Sequence, residues 1–147
     1  TIIRHSNVYG PHDKFSLEKS HVLAGTINKV FASKKEVTIW GDGTAKREFL
    51  YAPDLADFIC FAIDNFEALP GVMNVGSGLE ISVNAMHKHM AKVIGYSGEF
   101  QHDLSKPVGR LRRCLDLRHQ ESLGWSPKTA FQDALELTYD YMRRSLE

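Results

Sequence analysis

The side chain best suited to proton transfer in this sequence is the imidazole of His21. An imidazole can release or accept a proton near neutral pH, so it can serve as a general acid or a general base. His21 follows a mostly polar loop, residues 13–20, and opens an apolar helical segment, so its ring can point into a cleft. The residues alone leave a second interpretation open, in which His21 is a surface or helix-capping side chain.

The histidines do not have the spacing of a metal site. His5, His12 and His21 are separated by seven and nine residues. His87 and His89 are two positions apart, so they point to different sides of a helix. The sequence therefore predicts no metal centre.

A ligand site is predicted in residues 6–13, which read Ser-Asn-Val-Tyr-Gly-Pro-His-Asp. This stretch follows Ile2 and Ile3, whose β-branched side chains indicate a short buried strand. Gly10-Pro11 within it indicates a turn. Ligands of α/β folds bind in loops at the carboxyl ends of strands. We therefore expect the chemistry of the chain to lie in this stretch.

Basic side chains near loops and element ends are candidates for binding a diphosphate. Arginine presents a planar fork that fits phosphate oxygens, whereas lysine presents a point charge. The alternative is ordinary solvated charge, and Arg47 also has the acidic neighbours Glu48 and Asp54 for pairing. Trp40, just before a turn, either stacks on a sugar or base or belongs to the core. The basic candidates are Lys29, Arg47, Lys106, Arg110, Arg112 and Arg113.

The composition argues against several kinds of partner. The 147 residues include 18 basic and 18 acidic side chains, so the net charge is zero. A general nucleic-acid or membrane-surface binder would need a basic excess. No apolar run is long enough for a transmembrane helix, and the start lacks a signal-peptide pattern. We expect Cys60 and Cys114 to be free thiols in apolar surroundings, in a cytoplasmic protein.

Short strand-like segments alternate with apolar helical segments along the chain, which predicts the α/β class. A first helix is expected over 21–31, and a second, from Pro53, is apolar enough to be well buried. Segments 37–40 and 47–51 are strands that form either a hairpin or parts of two sheets. Residues 76–78, Gly-Ser-Gly, lack the third glycine of a dinucleotide-binding fingerprint.

Several motifs together resemble the GDP-L-fucose synthases, a family within the extended short-chain dehydrogenases/reductases. The most specific motifs are Gly-Pro-His-Asp at 10–13 and Ser-His-Val at 20–22. The others are Trp-Gly-x-Gly-Thr at 40–44, Arg-Glu-Phe-Leu at 47–50, Asn-Val-Gly at 74–76 and Ser-Lys-Pro-x-Gly at 105–109. The chain also enters a strand at once, without a Met or a leading loop. We therefore expect residues 1–147 to be a C-terminal, substrate-binding portion that includes the end of a Rossmann-type domain.

The resemblance implies an activity and a set of site residues. GDP-4-keto-6-deoxy-D-mannose is epimerised at C3 and C5 and then reduced at C4 with NADPH, which gives GDP-L-fucose. By matching positions, His21 is the acid that returns protons during epimerisation, and it also lies near the cofactor. The segment along the nicotinamide half of NADP is His5, Ser6, Asn7 and Val8, and the substrate-binding positions are Lys29, Trp40 and Arg47. The implied whole protein is a homodimer that binds a GDP-sugar.

The sequence departs from the family in two respects. Val108 stands where the family commonly has an aspartate that bonds the substrate, and a valine side chain cannot accept a hydrogen bond. The family's N-terminal half, with its phosphate loop, Ser, Cys and Tyr-x-x-x-Lys, is absent, so we expect this chain to be inactive alone. Two alternatives stay open. One is another nucleotide-sugar epimerase, dehydratase or reductase of the superfamily, and the other is a non-catalytic sugar-nucleotide-binding module.

Overall fold

The computed structural model describes residues 1–16 and 19–146, over which strands and helices alternate. The strands are β1 (Ile2–His5), β2 (Asn7–Tyr9), β3 (Glu36–Trp40), β4 (Lys46–Tyr51), β5 (Val72–Val75), β6 (Glu80–Ser82), β7 (Glu99–Asp103) and β8 (Arg112–Arg113). The helices are α1 (Val22–Ala32), α2 (Ala52–Asp64), α3 (Val83–Ile94), α4 (Arg118–Ser122) and α5 (Phe131–Arg144), with a 3₁₀ turn at Phe66–Ala68. The predicted α/β class is confirmed.

The strands of this range pair into small sheets. β1 and β5 are parallel, and so are β3 and β7. β2 lies parallel to β4, and β4 also pairs antiparallel with β6 and parallel with β8. β3 and β4 therefore belong to different sheets, and the hairpin alternative for these two segments is wrong.

Local sequence explains where the helices begin and end. The Ser82 hydroxyl accepts a hydrogen bond from the Ala85 amide at 3.1 Å, so it caps the first turn of α3. Gly95 ends that helix in the left-handed conformation, with φ +75°, which costs a glycine little. His21 precedes α1 but makes no side-chain cap hydrogen bond, so the capping interpretation of His21 is wrong. No helix in the described ranges is long and apolar enough to cross a membrane.

Buried apolar side chains form two clusters. The first core cluster lies between helices α1, α3 and α5 and strands β2 and β4. Its larger buried members are Tyr9, Leu23, Ile27, Val30, Val37, Phe49, Tyr51, Ile81, Met86, Met90, Leu135 and Met142. The second core cluster lies around α2 and β5 and contains Leu50, Phe58, Ala62, Met73, Val75 and Trp125.

The expectation that α2 is well buried is wrong for its outer face. Phe58 and Ala62 are buried, whereas Ile59 and Ile63 are 45% and 69% exposed, because α2 packs through one face only. Cys60 is exposed too, so the expectation of apolar surroundings is wrong for this thiol. Ile2 is likewise exposed, and the buried-strand expectation is wrong there. In the described ranges β1 pairs with β5 alone, and the Ile2 side chain stays 64% exposed.

Candidate functional site

A cavity of about 400 Å³ opens beside the carboxyl end of β1 and the start of β2. Apolar side chains form much of its wall, and polar groups enter it from several separate elements. This combination is typical of a small-molecule site, in which a few polar groups orient the ligand. The lining residues are His5, Ser6, Asn7, Val8, His21, Val22, Leu23, Arg47, Phe49, Arg113 and Leu115.

The cavity contains all four residues of the predicted cofactor segment. His5 ends β1, and its ring nitrogen Nδ1 donates to the Ser6 carbonyl at 2.8 Å. Asn7 begins β2, and its side-chain amide donates to the Glu48 carbonyl at 2.8 Å, which fixes it against β4. The Ser6 hydroxyl oxygen is buried and has no hydrogen-bond partner among the described residues. It can therefore donate to or accept from a bound ligand.

His21 reaches the same cavity from the start of α1. Its side chain is 86% exposed, and its Nδ1 lies 3.8 Å from the Asp13 carboxylate. This agrees with the predicted position at the end of a loop, facing a cleft. An exposed imidazole beside a carboxylate is able to exchange protons with a ligand in the cavity.

Two arginines bring positive charge to the cavity. Arg47 lies on β4 and Arg113 on β8, and the parallel pairing of these strands sets the two residues directly opposite each other. The Arg47 guanidinium donates to the carbonyls of Lys46 and Arg110, at 2.8 and 2.7 Å. Two guanidinium groups that line one cavity are able to bind a doubly charged anion such as a diphosphate.

Neither acidic neighbour of Arg47 pairs with it, so that alternative is wrong. The Glu48 side chain is 1% exposed and accepts from the backbone amides of Gly78 and Leu115. Asp54 accepts from the backbone amide of Lys128 and the hydroxyl of Thr129. Arg47 therefore forms no ion pair with either neighbour, and its charge is either solvated or available to a ligand.

Arg112, the neighbour of Arg113, is neutralised within the protein. Its guanidinium forms an ion pair with Glu80, with Nε donating at 2.9 Å. The hydrogen bond from Arg112 is the main cause of the lowered pKa of the Glu80 carboxyl. Adjacent arginines thus have different roles: Arg112 binds β8 to β6, while Arg113 faces the cavity.

Trp40 lies outside the cavity lining and forms part of an adjoining surface. It is 60% exposed, so the core interpretation of this residue is wrong. The Lys106 ammonium lies 5.8 Å above its ring, within cation–π range. Val108 packs so closely on Gly41 that a side chain at Gly41 would overlap it. Two residues after Val108, the Arg110 carbonyl accepts a hydrogen bond from Arg47. The surface formed by Trp40, Lys106 and Val108 is therefore connected to the cavity through Arg47.

Lys29, like Trp40, is a predicted substrate residue that does not line the cavity. It lies on α1, and its ammonium donates to the Thr38 carbonyl of β3 at 2.5 Å. Five basic candidates remain: Arg47 and Arg113 line the cavity, Lys106 and Arg110 lie on the adjoining surface, and Arg112 is paired with Glu80. Sequence reasoning did not single out Asp13 or the apolar wall residues Phe49 and Leu115; Asp13 is visible only as part of the Gly-Pro-His-Asp motif.

In the ranges that the structure covers, no three His, Cys, Asp or Glu side chains cluster as metal ligands would.

The fold and the cavity place the chain in one class of protein. The model of the NAD dependent epimerase/dehydratase family matches residues 1–76, just over half of the chain, and the chain belongs to this family. Solved structures of similar fold include a GDP-6-OMe-4-keto-L-xylo-heptose reductase from C. jejuni. It has a TM-score of 0.89 and 25% identity, over 97% of this chain and 53% of that one. The expected Rossmann-type fold is confirmed.

Relatives at higher identity narrow the comparison. The chain is 42% identical to the GDP-L-colitose synthase of Yersinia pseudotuberculosis over 139 residues. It is 41% identical to the GDP-L-fucose synthase of Azorhizobium caulinodans, also over 139 residues. Each match covers 92% of this chain and 45% of the relative, so the chain spans about half the length of the curated relatives it matches. The resemblance to the GDP-L-fucose synthases is confirmed.

Proposed function

We propose that this chain is the C-terminal, substrate-binding portion of an epimerase-reductase that converts GDP-4-keto-6-deoxy-D-mannose to GDP-L-fucose with NADPH. The observation that carries the proposal is that His21, Arg47 and Arg113 line the same cavity. A proton-transfer group and a diphosphate-binding pair within one cavity are what a nucleotide-sugar epimerase requires. The relatives named GDP-L-fucose synthase support the choice of a GDP-sugar.

In this proposal each group has a defined task. Arg47 and Arg113 bind the diphosphate, and Trp40 with Lys106 bounds the nucleotide on the adjoining surface. The sugar then lies near His21, which returns protons to C3 and C5 during epimerisation. Lys29 stays a predicted substrate contact, and it would have to leave the Thr38 carbonyl to reach a phosphate.

The residues at the start of β2 fit one side of a nicotinamide cofactor. The buried Ser6 hydroxyl lacks a partner among the described residues, and Val8 adds an apolar wall. His5, Asn7 and His21 complete this side of the proposed NADP site. NADPH, when bound, supplies the hydride that reduces the C4 ketone. The homodimer and the cytoplasmic location stay predictions.

The test uses the whole protein that contains this chain. We expect it to turn over GDP-4-keto-6-deoxy-D-mannose with NADPH, and to incorporate solvent deuterium at C3 and C5. His21→Ala should abolish that incorporation while a GDP-sugar still binds. His119→Ala, at an exposed histidine in α4, is the matched control and should leave incorporation unchanged. Normal deuterium incorporation by His21→Ala would remove His21 from the acid role.

GDP-L-colitose is a second candidate product. The Yersinia relative favours it, and Val108, which stands where the GDP-L-fucose synthases commonly have an aspartate, leaves room for it. That relative is named GDP-L-colitose synthase and is as similar to this chain as the fucose enzymes are. A panel of GDP-, UDP- and dTDP-keto sugars, with the products identified by NMR, separates the candidates. Preferential turnover of a UDP- or dTDP-sugar would contradict the GDP assignment. Binding without turnover of any sugar would favour the non-catalytic module.

A further inference from the structure

Asp13 is a largely buried carboxylate next to the exposed ring of His21. Its side chain is 13% exposed, against 86% for His21, and Oδ1 lies 3.8 Å from Nδ1 of the ring. Oδ1 also accepts from the backbone amide of Lys14 at 2.7 Å. The other oxygen, Oδ2, is buried and has no hydrogen-bond partner among the described residues. One carboxylate oxygen thus lacks a partner among the described residues, and the other is the one nearest His21.

The position of Asp13 is set by its own loop and does not depend on His21. Its backbone amide donates to the Gly10 carbonyl at 3.3 Å, which closes a turn. The preceding residue, His12, has φ +68°, a conformation that costs a non-glycine residue free energy. Its ring contacts that of Tyr141 of α5 in a tilted arrangement, with 4.5 Å between centroids, and is hydrogen-bonded to the Tyr141 hydroxyl at 2.8 Å. The turn therefore fixes the backbone of Asp13, and α5 fixes its neighbour His12.

A carboxylate removed from water is costly unless a donor or a cation satisfies it. Among the described residues, His21 is the one cation-forming side chain within 4.0 Å of Asp13. In the part of the chain that the structure describes, the other ionisable groups that line the cavity are His5, Arg47 and Arg113. None of these three is acidic, and among the described residues the carboxylate that pairs with His21 is that of Asp13.

We infer that Asp13 is a positioning residue for His21, an inference that rests on the proposed role of His21 as the acid. The carboxylate favours a proton on Nδ1, because that nitrogen faces it, and it restrains rotation of an otherwise exposed ring. Nε2 is then the nitrogen that exchanges protons with the sugar. The 3.8 Å separation is longer than a hydrogen bond, and a small rotation of the exposed ring closes it when substrate binds.

The tautomer of His21 tests the inference directly. Nitrogen-15 NMR of this chain, at a pH where the ring is neutral, should show the proton mainly on Nδ1. Asp13→Asn should shift the proton toward Nε2, and Asp13→Glu should restore Nδ1 at least in part. Asp64→Asn is the matched control, because Asp64 is an exposed aspartate at the end of α2, and it should change nothing. A purely structural role for Asp13 would not move the tautomer.

Activity of the whole protein gives the second measurement. Asp13→Asn should lower the rate of C3 and C5 proton exchange about tenfold, a part of what a general acid contributes, with little change in KM. The inference is overturned if wild-type His21 carries its proton on Nε2, or if Asp13→Asn folds and leaves the tautomer unchanged. If Asp13→Asn does not fold, the tautomer of His21 in the wild-type chain, measured by nitrogen-15 NMR, decides whether the inference holds. A chain with the Nδ1 tautomer that binds no GDP would contradict the proposed function and leave the Asp13–His21 pair standing.

Discussion

At the scale of single residues, the two cavity arginines differ in how they are held. Arg47 is anchored by hydrogen bonds to two backbone carbonyls, so its guanidinium is oriented before any ligand arrives. Arg113 is exposed and forms no ion pair among the described residues. An anchored group loses less conformational freedom on binding than a free one. Arg47 should therefore contribute more to affinity than Arg113.

Removal of either arginine should weaken the binding of a GDP-sugar to this chain. We expect Arg47→Ala to cost about 1.5–3 kcal/mol, the range for a hydrogen bond to a charged group, and Arg113→Ala to cost less. Isothermal titration calorimetry measures both. The control is Arg143→Ala, at an exposed arginine in the last turn of α5. Equal affinities for wild type and Arg47→Ala would exclude Arg47 from the phosphate site.

At the scale of elements, β4 connects the cavity to the rest of the fold. Its residues alternate in direction, so Arg47 faces the cavity region while Glu48 enters the interior. Glu48 accepts backbone hydrogen bonds from Gly78 and Leu115, where β5 and β8 have already ended. Gln120 of α4 bonds both the amide and the carbonyl of Gly76, at 2.9 and 3.0 Å. The buried side chains of Glu48 and Gln120 thus satisfy backbone groups of residues 76–78, the segment that follows β5, where strand pairing has ended.

The close approach at Gly76 predicts a specific loss of stability. A Cβ at this position would overlap the Glu48 carboxylate, so Gly76→Ala must displace a buried group that holds two backbone amides. We expect a loss of about 1–3 kcal/mol in the free energy of unfolding, measured by urea denaturation. Gly71→Ala is the control, because a Cβ there meets nothing within 4 Å. Similar stabilities for the two variants would contradict this account of the turn.

At the scale of the whole molecule, a buried titratable group lies against Phe100, a residue that packs on the first core cluster. His87 of α3 is 5% exposed, its Nδ1 donates to the Val83 carbonyl at 2.8 Å, and its ring meets Phe100 edge to face. Burial lowers the pKa of His87, the Val83 hydrogen bond partly opposes this, and the charges of Lys29 and His102 lower it further. The folded protein therefore keeps this imidazole neutral where the unfolded chain would bind a proton.

Global stability should consequently fall in mild acid. The unfolded imidazole takes up its proton near pH ~6.5, and the folded one only at lower pH, so stability is full above that value and is lost as the pH falls through it. The loss from one histidine is at most about 1.4 kcal/mol per pH unit. Urea unfolding at about pH 7.5 and 5.5 measures it. His87→Gln should flatten the dependence and His119→Gln, at an exposed site, should not; an equal slope in wild type and His87→Gln would contradict the assignment.

The sequence by itself determined the class of the fold and the residues along one side of the cavity. Alternating apolar periodicity is a local property, so the class could be predicted without long-range information. Residues 5–8 were assigned by matching the motifs of the GDP-L-fucose synthases, and His21 by its place at the end of a loop together with that match. The tertiary structure alone decided that β3 and β4 separate, that Arg113 lies opposite Arg47, and that Asp13 faces His21. It also decided that Trp40 and the outer face of α2 are exposed. The physical reason is that strand partners and side-chain burial depend on which distant edges and faces remain open once the chain has folded, and periodicity along the sequence does not record this.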